Sequence, residues 1–374
     1  MTGGGAKPEE TGGAAVPRVR MRPDYAISQL IKGGWQLSGD HGAVEDDRAI
    51  ADMIRFVDLG VTTFDCADIY TGVEEKIGRF RTELARLRGA EALETVRVHT
   101  KYVPDRSSLG SLGFDQIEAA IDRSLVRLGM ERLDLVQFHW WDYAAPGLAE
   151  AAGHLDALRR KGKIQLVGVT NFDADHLAEL CGVADIASAQ VQYSLLDRRV
   201  EGDFAALAQR NGVRLFSYGV LAGGFLTDAW LGRADPGFAF ENRSLVKYRL
   251  IIEEFGGWAL FQALLGALRA VADRHACDIA TIAVRSVLES DDIDAAIVGA
   301  RYADSLPRTL RAFDIALTDA DWAEIDAVLS QRHGPAGPVY GLERDIEGRH
   351  GRIMKYNLNK GDDRLAAEQT GGAD

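Results

Sequence analysis

Short apolar runs alternate with amphipathic segments along most of the chain. Each run is bounded by polar residues or glycine, which is typical of strands buried in a parallel sheet. Between the runs, apolar residues recur at helical spacing; the first such segment contains Ile50, Met53, Ile54 and Val57 and ends at Gly60. The predicted strands cover residues 27–35, 61–64, 96–100, 133–138, 164–169, 186–191, 213–216 and 295–298.

This alternation of strand and helix signals predicts one α/β fold with a parallel sheet. Eight strand segments favour closure into a (β/α)8 TIM barrel, in which functional residues lie at the C-terminal ends of the strands. The alternative is an open doubly wound sheet. It requires the glycine pattern G-x-G-x-x-G after the first strand, and residues 33–39 do not supply that pattern.

We expect a single barrel domain over residues 23–333. Residues 1–22 are rich in glycine, alanine and charged side chains, which predicts a disordered tail. Residues 334–374 form a C-terminal extension whose end is predicted to be disordered. An insert at 221–257 interrupts the alternation and is predicted to be irregular.

Composition restricts the partners that the protein is expected to have. The 374 residues carry a net charge of −13, which argues against nucleic acid or an anionic membrane as a general partner. No run of about 18 apolar residues and no signal peptide are apparent. The cysteines Cys66, Cys181 and Cys277 fit neither a disulfide framework nor a zinc site, so a reducing cytoplasm and no bound metal are expected.

Proton-handling side chains follow three successive predicted strands. Asp65 follows the second strand, with Tyr70 in the same loop, and Lys101 and His139 end the next two. A phenol has an ordinary pKa of ~10 and donates its proton more readily beside a positive charge. Lys101 can supply that charge, Asp65 can position Lys101, and His139 can bond a carbonyl oxygen or relay a proton. Reduction of a carbonyl group suits this set.

Each of these four residues also has a purely structural interpretation. An aspartate after a strand is commonly a turn or cap residue, a loop tyrosine usually packs, a lysine can be a surface residue, and a histidine after an apolar strand can be buried in the core. Their joint placement at the ends of successive strands favours a functional site.

A family resemblance appears in these same segments. Residues 64–70, which run from Phe64 to Tyr70, resemble the signature of the aldo-keto reductases, as do residues 100–101, 168–172, 189–193 and 299–301. Residues 194–198 and 221–224 resemble the branch of that family that includes the potassium-channel β subunits and many bacterial reductases.

The resemblance implies a (β/α)8 barrel that binds NADP(H) without a Rossmann fingerprint. Tyr70 would be the general acid, tuned by Asp65, Lys101 and His139. The implied cofactor contacts are Asn171 and Gln190 at the nicotinamide carboxamide, Tyr218 on the ring, Leu221 and Gly223 at the pyrophosphate, and Gly299 and Arg301 at the last strand, with Arg301 on the 2′-phosphate.

The chain departs from the family pattern at a few positions. Gly34 replaces the usual threonine, and Ser305, Arg308 and Thr309 replace the usual residues after Arg301. These changes leave the standard adenine contacts open. Arg308 would either add positive charge near the 2′-phosphate or lie in solvent on a helix.

Aromatic residues are expected near the reacting end. Trp35, Trp140 and Trp141, with Tyr143 nearby, would line a pocket for an aldehyde, ketone or alcohol. The alternative for Trp140 and Trp141 is packing beneath the next helix.

Three function classes remain to be separated. An NADP(H)-dependent carbonyl reductase or alcohol dehydrogenase acting on a small molecule is the leading hypothesis. A cofactor-binding regulatory or redox-sensing subunit with little turnover is the second. A metal hydrolase on the same barrel is the third, but the first strand has no His-x-His and no ligand set converges.

Overall fold

The elements are taken from a computed structural model that describes residues 15–38, 44–240 and 242–359. Within these residues the strands are β1 Arg18–Arg22, β2 Tyr25–Ser28, β3 Leu30–Gly33, β4 Thr63–Asp65, β5 Arg97–Tyr102, β6 Leu133–Phe138, β7 Ile164–Thr170, β8 Ile186–Gln192, β9 Arg214–Tyr218 and β10 Ala295–Gly299. The helices are α1 Asp46–Asp58, α2 Val73–Arg88, α3 Phe114–Leu128, α4 Leu148–Arg160, α5 Ala174–Cys181, α6 Asp203–Arg210, α7 Arg243–Phe255, α8 Gly257–Arg274, α9 Ile279–Leu288, α10 Leu306–Leu310, α11 Asp319–Leu329 and α12 Gly341–Arg344.

Strands β3 to β10 form a closed parallel barrel in chain order, in which β10 pairs with both β9 and β3. The outward side chains of the strands pack against apolar faces of the surrounding helices; Phe64 of β4, for example, lies against Phe80 of α2 with ring centroids 4.7 Å apart. The predicted (β/α)8 barrel is confirmed, and its closure brings the C-terminal ends of all eight strands to one mouth.

The first predicted strand, residues 27–35, consists of two strands. β2 pairs antiparallel with β1, whereas β3 enters the barrel. Met21, Tyr25 and Ile27 of the hairpin pack on inward side chains of the barrel, so the hairpin closes its N-terminal end. The prediction of a disordered tail over residues 1–22 is therefore wrong for Arg18–Arg22, because pairing and the burial of Met21 hold that strand; residues 1–14 lie outside the described chain.

The insert at residues 221–257, predicted to be irregular, contains helix α7. Its buried Ile251, Ile252 and Phe255 pack with α8, α9 and α11 in a second apolar core beside the barrel. In the described part of the chain no single helix is long and apolar enough to cross a membrane, although α7 and α8, which are bent by 92°, pass that test together by length and composition.

Residues 333–359, here called the C-terminal strap, cross the mouth of the barrel. At one end the amide of His333 donates to the carbonyl of Phe255 in α7, at 2.9 Å. At the other end the Asn359 side chain donates to the carbonyl of Val103 beyond β5, at 2.9 Å. Between these ends the strap contributes α12. The remainder of the predicted extension, from residue 360 onward, lies outside the described residues.

Candidate active site

A cavity of about 540 Å³ opens at the C-terminal ends of the barrel strands. Each of the eight barrel strands reaches it, because a residue close to the C-terminal end of each one lines the wall. These residues are Gly33, Asp65, Lys101, His139, Thr170, Gln190, Tyr218 and Gly299. The turn at 219–224, helix α7 and the C-terminal strap complete the enclosure.

Asp65 and Lys101 form a buried ion pair on the floor of the cavity. Their charged atoms are 2.7 Å apart, and each side chain is 5% exposed. Lys101 also donates to the carbonyl of Cys66 at 2.8 Å, while Asp65 accepts from the amides of Gln190 at 2.7 Å and Gln137 at 3.1 Å. Burial opposes the charge on Lys101, but the neighbouring Asp65 and Tyr70 raise the pKa of Lys101, so the ammonium persists at neutral pH.

Tyr70 lies beside this pair. The Lys101 nitrogen is 5.0 Å from the centre of the phenol ring, and Trp35 meets the ring edge-on at 4.9 Å. Burial raises the pKa of Tyr70, and Lys101 opposes that rise. The phenol is therefore protonated at neutral pH, with a cation next to it that favours release of the proton.

His139 lines the cavity, is neutral, and has one ring nitrogen without a partner among the described residues. Its Nδ1 lies 3.0 Å from the Thr170 carbonyl, which can only accept, so Nδ1 carries the proton and donates. Nε2 is buried and has no hydrogen-bond partner among the described residues. Burial, helped by Arg344, lowers the pKa of His139 to about 3. In this tautomer Nε2 is an acceptor. Of the two roles predicted for His139, a bond to a carbonyl oxygen or a proton relay, the first would need a donor at Nε2, whereas an acceptor suits a hydroxyl group.

Two amide side chains beside the pair present complementary free groups. The Tyr218 hydroxyl donates to Oδ1 of Asn171 at 2.8 Å, and the Gln190 amide donates to Asp65. Among the described residues, Nδ2 of Asn171 and Oε1 of Gln190 have no hydrogen-bond partner. A donor and an acceptor are thus free on the wall, which is the set that a primary carboxamide requires.

One side of the cavity is a tight turn packed on an aromatic ring. Leu221 and Gly223 line the cavity there. Gly223 has a φ of +66°, and a Cβ at this position would lie 2.6 Å from the ring of Tyr248. Glycine is therefore required, and the bare backbone remains open to a ligand.

Helix α7 adds two cations to the cavity that the sequence analysis missed. Arg243 and Lys247, one helical turn apart, both line the wall. The Lys247 nitrogen is 3.5 Å from the Tyr218 hydroxyl and 3.8 Å from a carboxylate oxygen of Glu343. Burial lowers the pKa of Lys247, with Glu343 opposing. The i, i+4 spacing of Arg243 and Lys247 is a usable sequence signal, but the prediction of an irregular insert does not use it.

Arg301 and Arg308 are not among the residues that line the cavity. Arg301 is partly buried and follows Gly299, which lines the cavity, by two positions in the chain. Arg308 points away: its side chain is 71% exposed and lies 3.8 Å from Asp278. Of the two interpretations offered for Arg308, the solvated helix residue matches the structure, and a place for it in the cofactor site is not supported, because α10 turns this side chain outward.

Two of the three predicted pocket tryptophans line the cavity, namely Trp35 and Trp141. Trp140 does not, and this part of the prediction is wrong. Its side chain is fully buried and packs edge-on against Phe138, with centroids 5.8 Å apart. Side chains in an extended segment alternate between faces, so His139 and Trp140 point to opposite sides. Tyr143 stacks on His176 at 3.4 Å and does not line the cavity either.

The departure at Gly34 has a steric reason. A Cβ at this position would lie 2.6 Å from the backbone carbonyl of Asp65 and 3.0 Å from Val73. A threonine would displace the loop that carries Asp65, so this chain needs glycine here.

A second buried lysine lies in β3. Lys32 is 2% exposed, and its single hydrogen bond among the described residues goes to the carbonyl of Gly33, at 2.9 Å. Burial lowers its pKa to about 7, although Asp65 and Asp52 oppose that change. Lys32 is not among the residues lining the cavity.

No group of three or more histidine, cysteine, aspartate or glutamate side chains within the described residues is arranged to hold a metal ion. The three cysteines are all free, and Cys66, the buried one, lies next to Asp65.

Comparison with known proteins identifies the family of this barrel. The sequence matches the model of the Aldo/keto reductase family over residues 29–330, which is most of the chain. The chain belongs to the aldo/keto reductase family. The C-terminal strap of this aldo/keto reductase lies beyond the matched residues.

Its relatives include reductases from two bacteria. It is 26% identical over 319 residues to the NADH-specific methylglyoxal reductase of Escherichia coli (strain K12), which covers 80% of this chain and 93% of that protein. It is 26% identical over 324 residues to the aldo-keto reductase YhdN of Bacillus subtilis (strain 168), over 84% and 93% of the two chains. These matches do not single out the channel-subunit branch.

A glycerol dehydrogenase of Gluconobacter oxydans has a similar solved structure. The two agree with a TM-score of 0.70 at 26% identity, over 87% of this chain and 99% of that chain. Oxidoreduction of carbonyl and alcohol groups with a nicotinamide cofactor is thus the chemistry of the family.

Proposed function

We propose that this aldo/keto reductase interconverts an aldehyde or ketone and its alcohol with NADP(H), using Tyr70 as the proton donor and acceptor. The observation that carries the proposal is the floor of the cavity. A protonated phenol lies beside an ammonium that is itself held by a buried carboxylate, and all three groups face one enclosed space.

The residues present fit a nicotinamide cofactor. Nδ2 of Asn171 and Oε1 of Gln190 would bond its carboxamide, and the ring of Tyr218 offers a stacking surface. The open backbone at Leu221 and Gly223 would meet the pyrophosphate, with Arg243 and Lys247 supplying positive charge. When bound, the cofactor supplies the hydride that reaches the carbonyl carbon.

Within the protein, Tyr70 would give its proton to the substrate oxygen as the hydride arrives. Lys101 stabilises the phenolate that forms, and Asp65 keeps Lys101 in place through the 2.7 Å ion pair. Nε2 of His139 would accept a hydrogen bond from the hydroxyl of the alcohol. Trp35, Trp141 and other apolar wall residues exclude water, which strengthens each of these interactions.

The choice of NADP(H) over NAD(H) rests on Arg301 alone. It follows Gly299 in the loop after the last strand, a part of barrel mouths that often holds phosphate. An arginine there is suited to the 2′-phosphate that distinguishes the two cofactors. A relative named NADH-specific shows that the family includes the other choice.

We also propose that the substrate is a small molecule taken up in a reducing cytoplasm. Two relatives carry the names of small three-carbon compounds, methylglyoxal and glycerol, which supports a small substrate. Three unpaired cysteines suit a reducing compartment.

The test is oxidation of NADPH by a panel of aldehydes and ketones, followed by its absorbance. Turnover with wild type and its absence in Tyr70→Phe would support the proposal. Tight NADPH binding without oxidation by any member of the panel would instead favour the regulatory subunit considered from the sequence.

A further inference from the structure

Arg344 in the C-terminal strap bonds backbone carbonyls beyond the ends of β6 and β7 and forms no ion pair among the described residues. Its guanidinium donates to three backbone carbonyls: Trp140 at 2.5 Å, Trp141 at 3.0 Å and Asn171 at 2.8 Å. It also stacks over the ring of Tyr143, 3.7 Å from the centroid. Among the described residues no acidic side chain lies within ion-pair distance of it.

Enclosing an arginine in this way costs free energy. Burial lowers the pKa of Arg344, and its Nε is enclosed without a hydrogen-bond partner among the described residues. The three carbonyls and the aromatic face offset part of that cost, and only a planar, forked cation can satisfy them together. A lysine at this position would reach fewer of them.

The three carbonyls belong to the segments that carry two site residues. Trp140 and Trp141 directly follow His139, and Asn171 follows Thr170, whose carbonyl holds the His139 ring. Asn171 adopts a φ of +64°, a left-handed conformation that costs a non-glycine residue free energy. One guanidinium therefore ties the end of β6 to the end of β7 and holds a strained peptide in place.

The preceding residue fastens the strap on the other side. Glu343 is buried and lies 3.3 Å from Arg199 and 3.8 Å from Lys247. Adjacent residues of opposite charge thus enter two different buried polar sites. Both lie beyond residue 330, where the match to the family model ends.

We propose that Arg344 is a positioning residue for the reaction, which sets the orientation of His139 and Asn171 from the C-terminal strap. The inference rests on the proposed function, because it assigns to these two residues their places at the substrate oxygen and the carboxamide.

The charge of Arg344 provides a readout that packing alone would not move. The groups around His139 are the Thr170 carbonyl of β7, Trp141 of the next loop, and Tyr340 and Arg344 of the strap; Asp65, Tyr70 and Lys101 share the cavity. Arg344 is the charged group that lowers the pKa of His139, after burial. Removing that charge therefore raises the pKa of His139, and the neutral acceptor is then lost at a higher pH as the solution is acidified.

The experiment compares Arg344→Met and Arg344→Lys with Arg352→Met. Arg352 lies in the same strap, but its side chain is 68% exposed and, among the described residues, pairs only with the exposed Glu347, so it is a matched control. For each protein the His139 ring is titrated by NMR, with His139→Gln to assign its signal, and kcat, KM and the NADPH Kd are measured across pH.

For Arg344→Met we expect kcat to fall on the order of tenfold to a hundredfold, because a small displacement of a positioned group has effects of that size. The pKa of His139 and the acid limb of the kcat profile should both move to higher pH. Arg344→Lys should keep the low pKa of His139 but lower kcat, because lysine keeps the positive charge and lacks the planar guanidinium that bonds the three carbonyls. Arg352→Met should match wild type.

Unchanged kcat and an unchanged His139 titration in Arg344→Met would overturn the proposal. So would full activity in Arg344→Lys, because charge alone would then suffice. If Arg344→Met fails to fold, Arg344→Lys and the control decide the question. Failure of wild type to oxidise NADPH with any carbonyl would refute the proposed function instead, and the His139 titration, which needs no turnover, would still report on Arg344.

Discussion

On the floor of the cavity, side chains from β4, β5, β6 and β8 hold one another. Asp65 accepts from Lys101, Gln190 and Gln137, so each position depends on the others. On the side proposed for the phosphates, no such network links the three residues assigned there among the described contacts: Gly223 offers its backbone, Lys247 of α7 lies on the wall, and Arg301 lies in the last loop, two positions beyond Gly299. An interlocked network must be kept whole, whereas independent contacts can change one at a time. We therefore expect the cofactor choice to change more readily than the floor; one relative is named NADH-specific.

The most severe break at the floor is Tyr70→Phe. It removes the transferable proton and leaves the cavity shape nearly unchanged. Because a positioned general acid contributes on the order of a hundredfold to ten-thousandfold, kcat should fall by that factor while the NADPH Kd stays within about twofold. Stopped-flow rates and a fluorescence titration measure the two quantities. Tyr302→Phe, outside the cavity, is the control, and near-normal turnover of the Tyr70 variant would refute its role.

Lys101→Met tests the interlocking itself. It leaves the Asp65 carboxylate buried without its cation, which costs about 3–5 kcal/mol of stability, and it removes the charge beside Tyr70. Chemical denaturation and kcat should both show the loss. Adding Asp65→Asn should recover much of the stability but not the rate. If Lys101→Met alone has normal stability and a normal pH profile of kcat, the proposed dependence of these residues on one another is wrong.

Arg301→Ala tests whether a residue proposed for the cofactor phosphates can be removed without affecting the floor of the cavity. If Arg301 bonds the 2′-phosphate, the loss is about 1.5–3 kcal/mol of NADPH binding, or roughly tenfold to over a hundredfold, with little change for NADH. Arg308→Ala is the matched control and should change neither Kd, because that side chain points to solvent. Equal losses for both cofactors would mean that Arg301 supports the loop. A wild-type preference for NADH would end the assignment.

Lys247→Met should give the smallest effect. The pyrophosphate is common to both cofactors, so NADH and NADPH should weaken together. Glu343 already offsets part of the lysine charge, so we expect a loss of about 1 kcal/mol, or roughly fivefold. A loss confined to NADPH, measured in the same titrations, would place Lys247 at the 2′-phosphate instead.

The barrel and the residues at its floor could be predicted because each signal is local. Asp65, Lys101 and His139 end apolar runs, and strand ends in a parallel barrel meet at one mouth. The alternation of apolar runs and helical segments therefore predicts both the barrel and the order in which these residues follow its strands. The roles of the individual side chains stay predictions until they are measured.

What escaped prediction depends on contacts distant in the chain or on the direction of a side chain. Trp140 and Trp141 are both aromatic and adjacent in the chain. The alternation of side chains after β6 places Trp141 on the cavity wall and buries Trp140 in the core, and the sequence does not show which is which. Helix α7 follows a segment with four glycines and one proline, Pro236, which favours the prediction of an irregular insert. Arg344 is one charged residue in a charged tail, and nothing in its neighbours indicates that it crosses to carbonyls about 170 to 200 positions away.

The buried side chain of Lys32 makes the free energy of unfolding depend on pH. Its pKa is about 7 in the folded protein and near 10.5, the ordinary value, once the chain unfolds. Between these values the unfolded chain binds a proton that the folded chain does not, so stability rises with pH across that window. Below about pH 7 the ammonium must be enclosed with one hydrogen bond, and its full penalty is present. Lys32→Met should therefore raise the melting temperature most in mildly acidic solution, and the gain should fade toward pH 10.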